Sequence, residues 1–242
     1  MARAPRTGPR ACRTPRIAAA LLAAAGVLAG CDALPGTDLV GPTATPAPSA
    51  PRPAPGADPP ASEEVDQALS RLSEAEVAPE GSGAGYERDE FGSSWIDTDD
   101  NGCPTRHDIL ARDLRKARVA DDCTVTRGVL EDPYTGERIE FTAEDPMEVQ
   151  IDHLVPLALA WRTGAGEWDR DVRVEFANDP DNLIAADGPA NQSKGDSGPG
   201  EWRPYPPFRC DYAVAYVDVV DEYGLRLPSA DRAALEEMLA DC

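Results

Sequence analysis

The sequence predicts an α+β domain braced by disulfides, and three observations carry that expectation. Strand-like runs gather in the first part of the folding region, and amphipathic helical runs dominate its end. Four cysteines in that region (Cys103, Cys123, Cys210 and Cys242) show no C-x-x-C spacing, which disfavours a structural zinc site. From Glu80 onward roughly 160 residues remain, the size of one domain.

The N-terminus reads as a targeting segment. Arg3, Arg6, Arg10, Arg13 and Arg16 precede an apolar run over residues 17–29, which ends in Leu28-Ala29-Gly30-Cys31. The run is shorter than the roughly 20 apolar residues of a membrane span. Its flanks fit a secretory leader, and the cysteine after small residues resembles the lipobox of bacterial lipoproteins. That resemblance implies a signal peptide over 1–30, acylation of Cys31 as a lipid anchor, and attachment to the extracellular face of the cytoplasmic membrane; an ordinary secretory signal is the alternative. Residues 31–79 are a Pro- and Ala-rich tether with a short helix expected near 63–77, and the folded domain is expected over 80–242. In an oxidising compartment the four cysteines allow three pairings. Cys103–Cys123 and Cys210–Cys242 are favoured, because each brackets a compact local segment.

Charge constrains the partner. The chain carries a net −21, and without the leader arginines 18 Lys and Arg face 44 Asp and Glu, a net −26. Such a surface repels a polyanion at long range and argues against tight passive binding of nucleic acid. Metal-assisted cleavage stays open, since salt and divalent ions screen the field.

Taken in order, residues 91–95 (F-G-S-S-W) lead into D-T-D-D-N-G-C, an acidic loop with a calcium-loop look but no glutamate at its twelfth position. Thr105 opens a helix expected to run to about Lys116, with Ile109, Leu110 and Leu114 on one face. Residues 123–130 and 138–142 alternate as strands around the turn D-P-Y-T-G, and residues 147–152 make a third strand-like run. Helical pieces follow at 157–162 and 168–176, a turn into a short strand at 179–184, and a helix-like segment at 188–195. An aromatic-striped helix over 208–223 and a last amphipathic helix after Pro228-Ser229 complete the chain. Trp161, Trp168 and Trp202 read as packing residues.

The chemistry concentrates in two stretches. Residues 148–158 (E-V-Q-I-D-H-L-V-P-L-A) place Asp152 and His153 at the end of an apolar run, and strand alternation turns His153 away from its neighbour. The chain has two histidines, so a histidine base at neutral pH is His107 or His153; His107 falls on the first helix and reads as a surface residue. Residues 182–196 (N-L-I-A-A-D-G-P-A-N-Q-S-K-G-D) supply Asn182, Asn191 and Lys194, one of two lysines. A carboxylate, an imidazole and spaced carboxamides suit a metal-dependent phosphodiesterase.

These motifs together resemble the HNH, or ββα-metal, nuclease superfamily, in the group related to the C-terminal nuclease of GmrSD-type restriction enzymes. The segment T-R-H-D-I-L-A-R-D-L at 105–114 also matches that group, and the resemblance covers about 91–242. It implies a ββα-metal core with additional helices. It further implies that Asp152 and Asn191 ligate one divalent cation, that His153 is the general base, and that Asn182 orients its imidazole through the side-chain carbonyl. Asn at the last motif position, where many relatives have His, favours Mg²⁺, accommodates Mn²⁺ and disfavours Zn²⁺. Lys194 and Arg106 are candidates for phosphate contact; for Arg106 and Arg112, salt bridges to Asp108 and Asp113 are the alternative. Arg162 and Arg203 are open in the same way.

The expected function is thus an exported, membrane-anchored, metal-dependent endonuclease acting on DNA, with RNA as a second substrate and no obligate protein partner evident. The alternative is a non-catalytic acidic surface lipoprotein that binds a partner or calcium. A serine hydrolase is disfavoured, since no G-x-S-x-G occurs.

Overall fold

The structure, a computed structural model, describes residues 60–242. The expected leader, Cys31 and most of the tether lie outside the described residues. Helix α1 (Ser62–Glu74) starts on a capping arrangement in which the Ala61 N–H donates to the Glu64 carboxylate at 2.8 Å. Its Val65, Ala68 and Leu72 are buried at helical spacing against α6 (Arg209–Glu222) and α7 (Ser229–Ala240). The fold therefore begins upstream of Glu80: this short helix is part of the core, and the Pro- and Ala-rich stretch before it, poor in large apolar residues, had masked that.

Helix α2 (Thr105–Asp113) stops earlier than its apolar face suggests, because Leu114 turns extended and the chain enters β1 (Arg115–Val119). That strand, R-K-A-R-V, has no apolar alternation to announce it. It pairs antiparallel with β2 (Val125–Glu131), which pairs antiparallel with β3 (Arg138–Thr142), in the order β1-β2-β3. The inner face of this sheet carries Leu130, Ile139 and Phe141 onto Ile109, Leu110 and Leu114 of α2. Close approach makes a glycine necessary at one point: a Cβ on Gly128 would lie 2.7 Å from the Leu114 Cβ.

The third strand-like run is β4 (Val149–His153), but it does not extend the hairpin before it. It pairs antiparallel with β5 (Leu183–Asp187), which sets Asp152 opposite Ile184 and His153 opposite Leu183. The reason lies in what each face meets. Val149, Ile151, Leu183 and Ala185 close the core beneath α2 and the three-stranded sheet. Ile184 and Ala186 face the larger core built with α1, α6 and α7. A ribbon buried on both sides reads as a continuous apolar run rather than an alternating one. Helices α3 (Leu157–Thr163) and α4 (Arg170–Asn178) connect its strands, and α5 (Gly188–Lys194) follows directly.

Both favoured disulfides are present. Cys103–Cys123 ties the approach to α2 to the β1–β2 turn, with Cα atoms 5.5 Å apart. Cys210–Cys242 joins the start of α6 to the end of α7, with a Cα separation of 5.7 Å. Among the described residues no helix is long and apolar enough to cross a membrane. Gly128→Ala is expected to destabilise the fold by about 1–3 kcal/mol through overpacking. A urea titration reads this as a lower midpoint at unchanged slope, and an unchanged midpoint would contradict the close approach.

Candidate active site

Asp152 lies on the face of the two-stranded ribbon that meets α5. Its Oδ2 accepts a hydrogen bond from the Tyr134 hydroxyl at 2.6 Å and an ion pair from Lys194 Nζ at 2.8 Å. The same ammonium donates to the His153 carbonyl oxygen at 2.8 Å. Lys194 is only 1% exposed and Asp152 7%, so both charges are stripped of water and rely on each other. Burial and the Asp152 carboxylate push the Tyr134 hydroxyl well above its ordinary pKa, which keeps it a donor.

Local sequence explains how Tyr134 arrives there. The D-P-Y-T-G turn is organised by Asp132, whose Oδ2 accepts from the Thr135 N–H at 2.8 Å and from the Thr135 hydroxyl at 2.6 Å. The other Asp132 oxygen accepts from the Asp187 N–H at 2.9 Å, which fastens the turn to the end of β5. Asp187 in turn caps α5, accepting from the Ala190 N–H at 2.7 Å. Gly188 is needed where this helix starts, since a Cβ there would meet the Met147 carbonyl at 2.3 Å. Asn191 lies one turn along α5, and its Nδ2 donates to Gln150 Oε1 at 3.0 Å.

His153 projects from the opposite face, as strand alternation requires. Its Nε2 lies 2.9 Å from the Ala177 carbonyl oxygen at the end of α4. A carbonyl can only accept, so Nε2 carries the proton and Nδ1 keeps the lone pair. Burial lowers the imidazole pKa to about 4, against the raising pull of the Ala177 hydrogen bond and Asp152, and the ring is neutral at neutral pH. The Trp95 indole stacks over it, centroids 6.2 Å apart and planes 15° from parallel. Trp95 holds a left-handed backbone (φ 60°), an uncommon state for a bulky residue. The Ile96 N–H donating to Asn178 Oδ1 at 3.2 Å fixes this loop over the ring. Arg88, Ser93, Ser94, Trp95 and Asn178 line a narrow pocket around the imidazole. Arg88 makes no ion pair among the described residues.

Several sequence assignments change. Asn182 does not reach the imidazole: its Oδ1 accepts from the Val155 N–H at 2.9 Å, its Nδ2 donates to the Val155 carbonyl at 3.4 Å, and its own carbonyl accepts from the Leu154 N–H at 2.8 Å. It clamps the turn after His153, and the Ala177 carbonyl orients the ring instead. Lys194 is buried, with its ammonium given to Asp152 and the His153 carbonyl rather than presented at the surface. Arg106 donates to the carbonyls of Pro146 at 3.3 Å and Val149 at 3.2 Å, bracing the entry to β4. Arg112 resolves toward its salt bridge, 2.6 Å from Asp113, with further donation to the carbonyls of Pro180 and Leu183. Asp113 completes that brace by accepting from the Ala185 N–H at 2.8 Å.

The remaining candidates are structural. His107 Nδ1 accepts from the Val125 N–H at 3.2 Å, which makes it a link between α2 and β2. Arg162 pairs with Glu80 and Asp196, and Arg203 with Glu237. Trp161, Trp168 and Trp202 pack on Phe91, Phe176 and Tyr134. The acidic loop folds on itself, with Asp97 and Asp99 accepting from the backbone of Asn101. Sequence reasoning passed over Tyr134, Gln150, Trp95, Asn178 and Arg88. Tyr134 and Gln150 had a signal, as a tyrosine inside a tight turn and a polar residue two before Asp152 in an apolar strand; the others had none.

A hairpin-like ribbon ending in Asp-His, followed by a short helix with a polar face, is the arrangement of a nuclease-type domain. Residues 105–226 match the family model of the GmrSD restriction endonucleases, C-terminal domain. The chain belongs to that family, and a nuclease domain implies a nucleic acid as substrate. It is also 40% identical over 193 residues to an "Uncharacterized secreted protein" of Arthroderma benhamiae, covering 78% of this chain and 92% of that protein. No solved structure matches the chain. Arg88 and Trp95 lie outside the family match.

Lys194→Met is expected to cost about 3–5 kcal/mol of stability, because it strands a buried carboxylate. A phosphate-contacting surface lysine would show no such loss in a urea titration.

Proposed function

We propose that the protein is an exported metal-dependent endonuclease that hydrolyses phosphodiester bonds in DNA, with His153 as general base. The observation that carries this reading is the His153 ring itself, held by one nitrogen on a backbone carbonyl while the other keeps its lone pair beside an unpaired arginine. A base must be neutral and pre-aimed before it meets water, and burial together with the Ala177 carbonyl supplies both conditions. Nδ1 takes the proton of the attacking water, and the stacked Trp95 keeps the ring from swinging away. Arg88 meets a phosphate oxygen, the role the sequence had given to Lys194 and Arg106. Asn182 is a positioning residue, holding the turn that carries His153.

The donor chemistry fits a hard divalent cation. Among the described residues no three His, Cys, Asp or Glu side chains gather as a metal site. Tyr134 and Lys194 both use Asp152 Oδ2, so Oδ1 is the oxygen left to offer. With its Nδ2 given to Gln150, Asn191 likewise has its carbonyl oxygen to offer. One carboxylate and one carboxamide oxygen, completed by water, suit Mg²⁺ or Mn²⁺ better than zinc. The bound cation would neutralise charge on the phosphorane and the leaving oxygen.

Export is supported by the two disulfides and by the description of the Arthroderma benhamiae relative as secreted. Lipid attachment at Cys31 is the finer part of the proposal; incorporation of labelled fatty acid that persists in Cys31→Ser would reject it. For the chemistry, wild type is expected to degrade plasmid with Mg²⁺ and to stop in EDTA. His153→Ala should lower the rate by about 10²-fold or more, whereas Arg88→Ala should chiefly raise KM. Wild-type activity in EDTA, or equal rates for His153→Ala, would sink this mechanism.

A further inference from the structure

The outer face of the three-stranded sheet carries a concentration of positive charge that nothing in the fold explains. The inner face is fixed by Gly128, Leu130, Ile139 and Phe141, so Arg127 and Glu131 of β2 and Arg138 and Glu140 of β3 point outward. On β1, residues three apart would ordinarily face opposite ways. A bulge at Lys116 (φ 55°) breaks that rule, pairing Arg115 with Val129 and Arg118 with Arg127. Both arginines of β1 thereby reach the outer face.

The acids of this face are already engaged. Glu131 lies 4.0 Å from Arg115, and Glu140 lies 3.4 Å from Arg138. Lys116, Arg118 and Arg127 are exposed and make no ion pair among the described residues. Arg118 and Arg127 also sit directly opposite each other across the strands, an arrangement of like charges that destabilises a sheet. Asp121 and Asp122 lie beyond them in the β1–β2 turn, where Asp122 accepts from the Thr124 N–H. In a chain with 44 acids, three unpaired cations on a bulged edge strand and its neighbour form a cationic cluster, with the remaining acids of the region in the turns around it.

We propose that this face binds the phosphate backbone of the nucleic-acid substrate, with Arg118 and Arg127 as its contacts and the exposed Lys116 at the bulge beside them as a third. The inference rests on the nuclease reading above. It accounts for how an acidic protein holds a polyanion: the charge is segregated rather than averaged, and a bound phosphate relieves the repulsion between the paired arginines. The contacts are to backbone, so they fix affinity and not sequence preference.

The test is the full mature protein with Lys116→Gln, Arg118→Gln and Arg127→Gln combined. At about 0.15 M salt the triple variant should show KM raised by about tenfold or more with kcat within about twofold, since three phosphate contacts are lost and none of the three residues lines the pocket around His153. Duplex binding in a His153→Ala background should lose about 2–3 from the slope of log affinity against log salt, at roughly 0.9 per contact. Arg232→Gln, on an exposed helix pair, is the control and should change neither. Unchanged KM and slope in the triple variant would overturn the proposal. So would unchanged KM with new self-association by light scattering, which would mark the cations as guards of an edge strand. If wild type cleaves nothing yet the binding slope still falls in the triple variant, the surface stands and the nuclease reading fails instead.

Discussion

The buried ion pair between Asp152 and Lys194 is the constraint on which the site depends. Removing both charges from water costs several kcal/mol per ion before their attraction is counted. The fold offsets this by giving the carboxylate a second donor, Tyr134, and the ammonium a second acceptor, the His153 carbonyl. Three separate pieces of chain must therefore be in place together: the turn that delivers Tyr134, the last turn of α5, and the end of β4. An apolar pair of similar volume would be no less stable by itself. What the charged pair adds is register, since a slip of β4 by one residue would bury His153 against Lys194.

A second layer of contacts holds the ribbon from its other side. Arg112 and Asp113 sit at the end of α2, yet their partners are the backbone of Pro180, Leu183 and Ala185, the run that leads through Asn182 into β5. Asn182 passes that order on to the turn after His153. Arg106 does the same for the entry to β4. Polar residues that look catalytic in sequence thus act through backbone carbonyls and amides. The benefit is to geometry: a general base works only when its lone pair is held to within a fraction of an ångström of the water it activates.

Much of this was legible in the sequence, and the failures share a cause. Helices with an apolar face, the two disulfides, and the strand ending in Asp-His all announced themselves through local pattern. Strand β1 did not, because three of its five residues are charged and its pairing is supplied by β2. The partner of β4 could not be read either, since two strands separated by α3 and α4 meet only through tertiary packing. Lys194 is the sharpest case. A lysine in a Gly- and Asp-rich stretch looks solvated, and only the fold reveals that α5 drives it under the ribbon toward Asp152. The left-handed Trp95 has no local sequence signal at all; its conformation is imposed by the ring beneath it and by Asn178 behind it.

The same ion pair also bears on how the proposed cation and substrate come together. Lys194 cancels much of the Asp152 charge, so the proposed cation would face one half-neutralised carboxylate and a neutral carboxamide. Such a site is weak when alone, and Mg²⁺-type ions in weak sites draw their remaining ligands from water and from substrate phosphate. Phosphate then becomes part of the site that binds the ion, and ion and substrate reinforce each other by linkage. For a protein whose surface is strongly acidic this arrangement has a further consequence. On the proposed reading, the one ordered position would fill only when a nucleic acid is there to complete it. The acidic surface and the nuclease site would then be compatible, because the attraction that holds the polyanion would be supplied locally, by the proposed ion and a few arginines, against a repulsion that salt screens over about 8–10 Å.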